Sequence, residues 1–145
     1  MKLFLSMAAL TLLLGCNSNI KQRASASILK SDAKKELIAS IERGGMVYTD
    51  FCMQCHMANG KGIPGTFPPL ATSNWLTEKR TESIHAVKFG QSGEIVVNGE
   101  SYNGVMIPMG LSDEEIADVL NYIMNSWGNR QEKMVTALEV GEIQK

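Results

Sequence analysis

The sequence predicts an all-α domain: three to five short helices around one buried group, joined by long Gly- and Pro-rich loops. Three observations carry this. Apolar residues recur at helical spacing in separate stretches, and nowhere does alternation run long enough to demand a sheet. Glycine and proline collect between those stretches, in "NGKGIPGTFPPLATSN" and "FGQSGEIVVNGESYNGVMIPMG". The length left after the N-terminal segments is short for a self-sufficient apolar core, so a large buried cofactor would supply much of what is missing.

The chain begins "MKLFLSMAALTLLLGC". Lys2 is a charged start, Leu3 to Leu14 an apolar run too short to span a bilayer, and Gly15 a small residue before Cys16, which together form a secretory signal. "LLGC", Leu13 to Cys16, resembles the lipobox of bacterial lipoproteins, whose signal is cut before a cysteine that is then acylated. The resemblance implies a signal peptide over residues 1–15 and a lipidated Cys16, hence an exported, membrane-anchored lipoprotein facing the periplasm. Asn17, where inner-membrane retention signals often carry Asp, weakly favours the outer membrane. An ordinary signal with a spare cysteine is the alternative. Each buried acyl CH₂ contributes about 0.8 kcal/mol, and two or more chains anchor stably where one does not. Residues 16–31 are polar with little apolar periodicity and read as a flexible tether.

Of 14 Lys+Arg and 15 Asp+Glu, only Lys2 lies in the signal, which leaves 13 against 15 and a formal charge of −2. That balance implies no nucleic-acid partner. Residues 32–129 read as the domain and 130–145 as a C-terminal tail. From Asp32 to about Cys52, Leu37, Ile41, Tyr48 and Cys52 keep helical spacing, interrupted by Gly44 and Gly45. A glycine inside a helix costs about 1 kcal/mol against alanine, so the pair asks for close approach by another helix. Ile84, Val87 and Lys88 predict a second helix between Thr77 and Phe89, stopped by Gly90. In "LSDEEIADVLNYIMNSWGN", Ser112 and Glu115 form a capping box at an acidic first turn. Ile116, Val119, Leu120, Ile123, Met124 and Trp127 then share one face, closed by Gly128. Ile95 to Val97 is able to pair as a small hairpin, and "VTALEVGEIQ" suits a last short helix or a surface segment.

Three cysteines are too few for a multi-disulfide framework. "FCMQCHMANGKG" places Cys52, Cys55 and His56 as C-x-x-C-H, the spacing of covalent c-type haem attachment. Each thiol can form a thioether with a haem vinyl group, and the adjoining imidazole can then reach the iron. Three other readings compete. A thioredoxin-like dithiol wants a βαβ setting, a zinc site wants a fourth ligand from His85 or a carboxylate, and a Cys52–Cys55 disulfide would be small and strained. For a sixth iron ligand the candidates are His85, placed in the second helix, and Met106 and Met109, placed in the loop "YNGVMIPMG". Met53 and Met57 flank the motif and Met124 belongs to the core face.

These residues resemble a monohaem class I cytochrome c domain over about Ala33 to Gly128. Gly44 and Tyr48 fall where that family has the glycine and aromatic of its first helix, and Tyr122 where the last helix packs over the glycine. Gly45 has no such counterpart. "FPPLATSNW" is similar to the family's proline loop, which implies that the Pro68 carbonyl accepts the His56 ring N–H and that Leu70 covers the haem. "YNGVMIPMGLSDEEIADVLNYIMNSWGN" resembles the methionine loop and last helix of small cytochrome domains associated with bacterial oxidases, cbb3-type among them, dehydrogenases and nitrite reductases. There the methionine before a proline pair is the ligand. Met106 takes that place, Ile107 replaces the first proline, and Met109 remains the second choice.

The resemblance implies one covalent haem c with His/Met ligation and no chemistry on a substrate. Phe67, Leu70, Val105, Ile107 and Leu111 would line a dry pocket, the haem edge would lie near Cys52, Met53 and Met57, and Trp75, Tyr102 and Arg80 are candidate donors to the propionates. The function implied is a lipid-anchored electron carrier, or the electron-entry subunit of a periplasmic or membrane redox enzyme, with redox-protein donors and acceptors. Two alternatives stand beside it: a haem peroxidase or gas sensor with a displaceable methionine, and a haem-free dithiol or metal-binding lipoprotein.

Overall fold

No glycine or proline interrupts the chain from Ser18 to Arg43, and Ala, Lys, Gln, Arg, Glu and Leu recur through it, so a single helix forms, α1, Ser18–Phe51. The structure is a computed structural model that describes residues 18–131 and 133–145, with side chains from residue 27 onward. The signal segment and Cys16 lie outside the described residues. Within residues 16–31, read from sequence as a tether, the backbone is helical from Ser18 on, because polar residues that are good helix formers do not oppose a helix.

Contacts divide the chain after Lys34. In the first unit, residues 27–34 are helical and all exposed. The second unit, Lys35–Lys145, holds the rest of α1 and every other element. These are α2 Met53–His56, α3 Asn74–Glu78, α4 Arg80–Phe89, β1 Ile95–Val97, β2 Glu100–Tyr102, α5 Asp113–Ile123 and α6 Ala137–Glu142. Six helices and one two-stranded sheet among the described residues make the all-α expectation correct. None of these helices is long and apolar enough to cross a membrane.

β1 and β2 pair antiparallel across Asn98-Gly99, whose φ values of 52° and 85° match the twist of a tight hairpin. The turn is fastened to the start of α3, because Asn74 N–H donates to Asn98 Oδ1 (2.9 Å) and Asn98 N–H to Asn74 Oδ1 (2.7 Å). The capping box of α5 forms as expected, with Glu115 N–H on Ser112 Oγ and Ser112 N–H on Glu115 Oε2. α5 stops at Ile123, earlier than the apolar periodicity suggests. Leaving the helix turns Trp127 (φ 50°) across Tyr48 and Tyr122, with ring centroids 4.9 and 5.4 Å away.

α1 and α5 touch backbone to backbone at Gly44. A Cβ there would stand 1.9 Å from the Asp118 carbonyl oxygen and 2.9 Å from Tyr122 Cβ. Gly45, unexplained from sequence, lies under the Tyr122 ring, which a Cβ would meet at 3.3 Å. The crossing is locked by a polar cluster. The Asp118 carboxylate accepts from Ser40 Oγ (2.6 Å) and, in a two-pronged contact, from Arg43 Nε (2.6 Å) and Nη2 (2.8 Å). Asn121 donates to Ser40 Oγ and to the Val135 carbonyl, and accepts from Val135 N–H.

Val135 and Val140 are both fully buried, so the segment read as a tail is part of the core. Arg80 fastens it further: its guanidinium donates to Glu139 Oε1 (2.7 Å) and Oε2 (2.8 Å), to Gln131 Oε1 and to the carbonyls of Lys133 and Met134. Arg80 is thereby corrected from candidate propionate donor to strut.

Two predictions follow from this framework. Gly44→Ala should destabilise the holoprotein by about 3 kcal/mol, the upper end of ordinary overpacking, because the new methyl meets backbone rather than a side chain that can rotate. Gly45→Ala should stay within about 1 kcal/mol of wild type, since gained helix propensity offsets a small ring movement. Urea denaturation followed by circular dichroism checks both, and equal losses at the two sites would contradict the crossing described.

The Arg80 guanidinium, by hydrogen bond first, holds the Glu139 carboxyl below its ordinary value of 4.5. A carboxyl depressed on folding stabilises fully above the unfolded value, and the gain is lost as pH falls through the lower folded one. Thermal stability of the wild type should therefore drop more steeply below about pH 4.5 than that of Glu139→Gln, measured as Tm against pH.

Candidate functional site

Helical hydrogen bonding continues past the end of α1 into the cysteine motif: Cys52 N–H donates to the Tyr48 carbonyl and His56 N–H to the Cys52 carbonyl, both at 2.9 Å. Cys52, Cys55 and His56 thus lie one helical turn apart on one side, and all three line the same cleft. The cleft has a volume of about 210 Å³ and is open to solvent. Neither cysteine is in a disulfide.

The loop after the motif folds back on it. Leu70 and Ala71 N–H both donate to the Gly60 carbonyl (2.7 and 2.8 Å), and Trp127 lies so close over Gly60 that a Cβ there would stand 2.4 Å from its ring. Asn129 donates to the Leu70 and Ile123 carbonyls, tying this loop to the end of α5. The result is that His56 Nδ1 sits 3.0 Å from the Pro68 carbonyl oxygen. A carbonyl can only accept, so Nδ1 carries the proton and Nε2 is left with its lone pair.

Burial lowers the His56 pKa against the opposing pull of the Pro68 hydrogen bond, which keeps the imidazole neutral, the form a metal ion takes. Burial, and then the neighbouring Cys55, push the Cys52 thiol up to about 11. A thiol that stays protonated near neutrality is a poor dithiol nucleophile. Among the described residues no group of three or more His, Cys, Asp or Glu is placed to hold a metal ion, so the structure gives the zinc reading no support.

Met106 and Met109 both line the cleft and both are partly buried. Met106 is held by its backbone: Met106 N–H donates to the Gln91 carbonyl and Gln91 N–H to the Met106 carbonyl, each at 2.8 Å. His85 does not line the cleft, and its ring lies 5.1 Å from that of Phe89. Phe67 and Leu70 line the cleft as expected, with Ala86, Val87, Val97 and Leu120 completing its apolar wall. Val105 and Ile107 stand at its mouth, 72% and 64% exposed, rather than in a dry interior. Leu111 packs on the helical core and is not in the wall, because the loop turns away at Gly110 (φ 72°) before reaching α5. Met53 and Met57 are also off the cleft, and Phe51 and the exposed Cys55 occupy the rim assigned to them. Trp75 and Tyr102 line the cleft, and Tyr102 Oη already donates to Glu100.

Sequence reasoning missed Asn129 and Gln91. Each acts through contacts with distant backbone, and neither belongs to a local motif. The donor set fits a covalently attached haem: two thiols on one helical turn, an imidazole with Nε2 available, two thioethers in the same cleft, and an otherwise mainly apolar lining.

Comparison with known proteins agrees. The family model described as Cytochrome c matches residues 41–127. Cytochrome c-552 of Thermus thermophilus is 42% identical over 109 residues, covering 69% of this chain and 82% of the relative. The cytochrome c subunit of the quinone alcohol dehydrogenase of Gluconobacter oxydans (strain 621H) is 34% identical over 104 residues, 69% of this chain but 21% of that subunit. The FixP subunit of the cbb3-type cytochrome c oxidase of Bradyrhizobium diazoefficiens is 29% identical over 117 residues, 74% of this chain and 39% of that one.

Proposed function

Because the chain belongs to the cytochrome c family, and is on that ground an electron-transfer protein with covalently attached haem c, we propose that it is a single-haem carrier with His56 and Met106 as axial ligands, held at a membrane by lipid on Cys16. One observation carries the ligand assignment. Within one cleft, an imidazole and a thioether are each fastened from behind by backbone groups, His56 to the Pro68 carbonyl and Met106 to Gln91. Met109 lines the same cleft without any such fastening among the backbone bonds of the loop.

Bound iron supplies the one-electron couple, and His/Met ligation raises its potential. The residues of the chain do the rest. Cys52 and Cys55 bond the porphyrin edge. Pro68 holds the His56 proton on Nδ1, which orients the ring and strengthens its donation. With haem bound, the apolar wall would exclude water from the iron, so a change of charge would meet little reorganisation. Phe51 and Cys55 at the mouth leave an edge through which the electron enters and leaves.

The partner follows by likeness alone. The chain spans about a fifth of the dehydrogenase subunit it matches and 39% of the oxidase subunit; from those relatives a dehydrogenase or an oxidase is the class of donor or acceptor we assign, and a nitrite reductase enters only through the resemblance of the methionine loop. Tethering on the periplasmic side, at the outer membrane by the Asn17 argument, would raise the effective concentration near such enzymes. No observation favours the peroxidase or sensor reading, since the second histidine lies off the cleft.

The ferric holoprotein should show the near-infrared band of methionine-ligated haem. Met106→Ala should lose it and Met109→Ala should keep it; the reverse pattern would move the ligand to Met109. For the anchor, detergent-phase partitioning and metabolic labelling with a radioactive fatty acid should both be present in wild type and absent in Cys16→Ser. A wild type that fractionates with soluble periplasmic proteins would remove the lipid assignment.

A further inference from the structure

Gly90 closes α4, and its φ of 86° lies where glycine is favoured over any residue with a side chain. Its surroundings are tighter than the cap requires. A Cβ on Gly90 would stand 2.6 Å from the Met106 carbonyl oxygen, 3.0 Å from Pro108 Cδ and 3.3 Å from Pro108 N. The next residue, Gln91, makes the two backbone hydrogen bonds to Met106 already described, an isolated antiparallel bridge with no strand on either side. So the end of α4 meets the methionine loop through two consecutive residues, by hydrogen bond at Gln91 and by close packing of Gly90 on Met106 and Pro108.

α4 is itself immobilised. Ile84 is 1% exposed in the core, Lys88 Nζ donates to the Val140 carbonyl (2.8 Å) and pairs with Asp113 (3.3 Å), and Arg80 at the other end is the strut to the C-terminal segment. A loop bridged to such a helix inherits its rigidity.

We propose that the Gly90–Gln91 end of α4 is a clamp that positions the Met106 thioether, holding the loop in its ligating place independently of the iron bond. The clamp rests on the reading of Met106 as a ligand, and Gly90 and Gln91 are positioning residues that act through the Met106 backbone. The backbone cannot retreat when the iron changes oxidation state, so the sulfur stays within reach. A thioether is a weak, neutral donor, and one that must order a free loop on binding would lose much of its hold to that entropy. Preorganisation removes the cost before the bond forms.

The test uses the holoprotein. Gly90→Ala should push the loop outward, giving a weakened or lost near-infrared band, carbon monoxide binding to the ferrous form where wild type resists it, and a lower reduction potential. Gly99→Ala is the control, because Gly99 has nearly the same φ (85°) in the hairpin turn but no atom within 4 Å of its Cβ position. It should match wild type in all three. Gly90→Ala behaving like Gly99→Ala would overturn the clamp.

A second measurement decides the matter if Gly90→Ala does not fold. In Met106→Ala holoprotein the bridge needs no side chain, so the amide hydrogens of Gln91 and of the substituted position should still exchange slowly. Exchange at the rate of an open loop would show that the iron bond holds the loop, and would overturn the proposal. A Met106→Ala protein that keeps the near-infrared band but retains slow exchange would instead remove the ligand assignment and leave the bridge standing.

Discussion

The structure depends on the place where α1 and α5 touch without side chains between them. At Gly44 the backbone of one helix lies against the Asp118 carbonyl of the other, close enough that a single methyl would drive them apart. Eight residues on, α1 ends and Cys52 begins the attachment motif; six residues after Met106, α5 begins at its Ser112 cap. The crossing therefore sets the separation between the two segments that face each other's chemistry in the cleft. Asp118 serves twice in this, its carbonyl as the surface on which Gly44 rests and its carboxylate as the acceptor for Ser40 and Arg43.

The two candidate ligands share a device. Each is oriented by main chain: His56 by a proline carbonyl, Met106 by the peptide groups of Gln91. Pro68 suits the task because its ring fixes φ, which steadies the backbone that presents the accepting carbonyl to the imidazole. Main-chain contacts hold their geometry better than long side chains, whose rotamers must be frozen at an entropic cost. The same economy appears at Gly60, whose one carbonyl receives both Leu70 and Ala71 and so brings the proline loop under the histidine.

Much of this was legible in the sequence where a residue's role is local. The Ser112–Glu115 box, the Gly90 stop and the C-x-x-C-H spacing are all short-range patterns whose physics lies within a few residues. Gly44 was legible as a demand for close approach, and the family resemblance pointed to Tyr122 of the last helix as what packs there, while the Asp118 carbonyl it rests on was not legible. Ser40, Asp118 and Asn121 were not legible, because buried polar residues look like surface residues until their partners, up to 81 positions away, are known. The helix beginning at Ser18 was missed for a related reason: low apolar content argues against burial, and says nothing against helical backbone. Val105 and Ile107 were read as interior from hydrophobicity, yet they flank Met106 in an extended loop whose alternate residues turn outward.

The segment beyond α5 changes what counts as one piece of protein. The family model's match ends at residue 127, while the compact unit runs to Lys145 and has two of its fully buried valines, Val135 and Val140, past that point. Anyone transplanting this module into a chimera by cutting at the border of resemblance would strip the carbonyl and amide that Asn121 holds, unseat Gln131 from the Leu76 carbonyl and leave the Arg80 guanidinium without its acceptors. The portable unit is set by where buried polar groups find their partners, and here it is longer than the inherited motif.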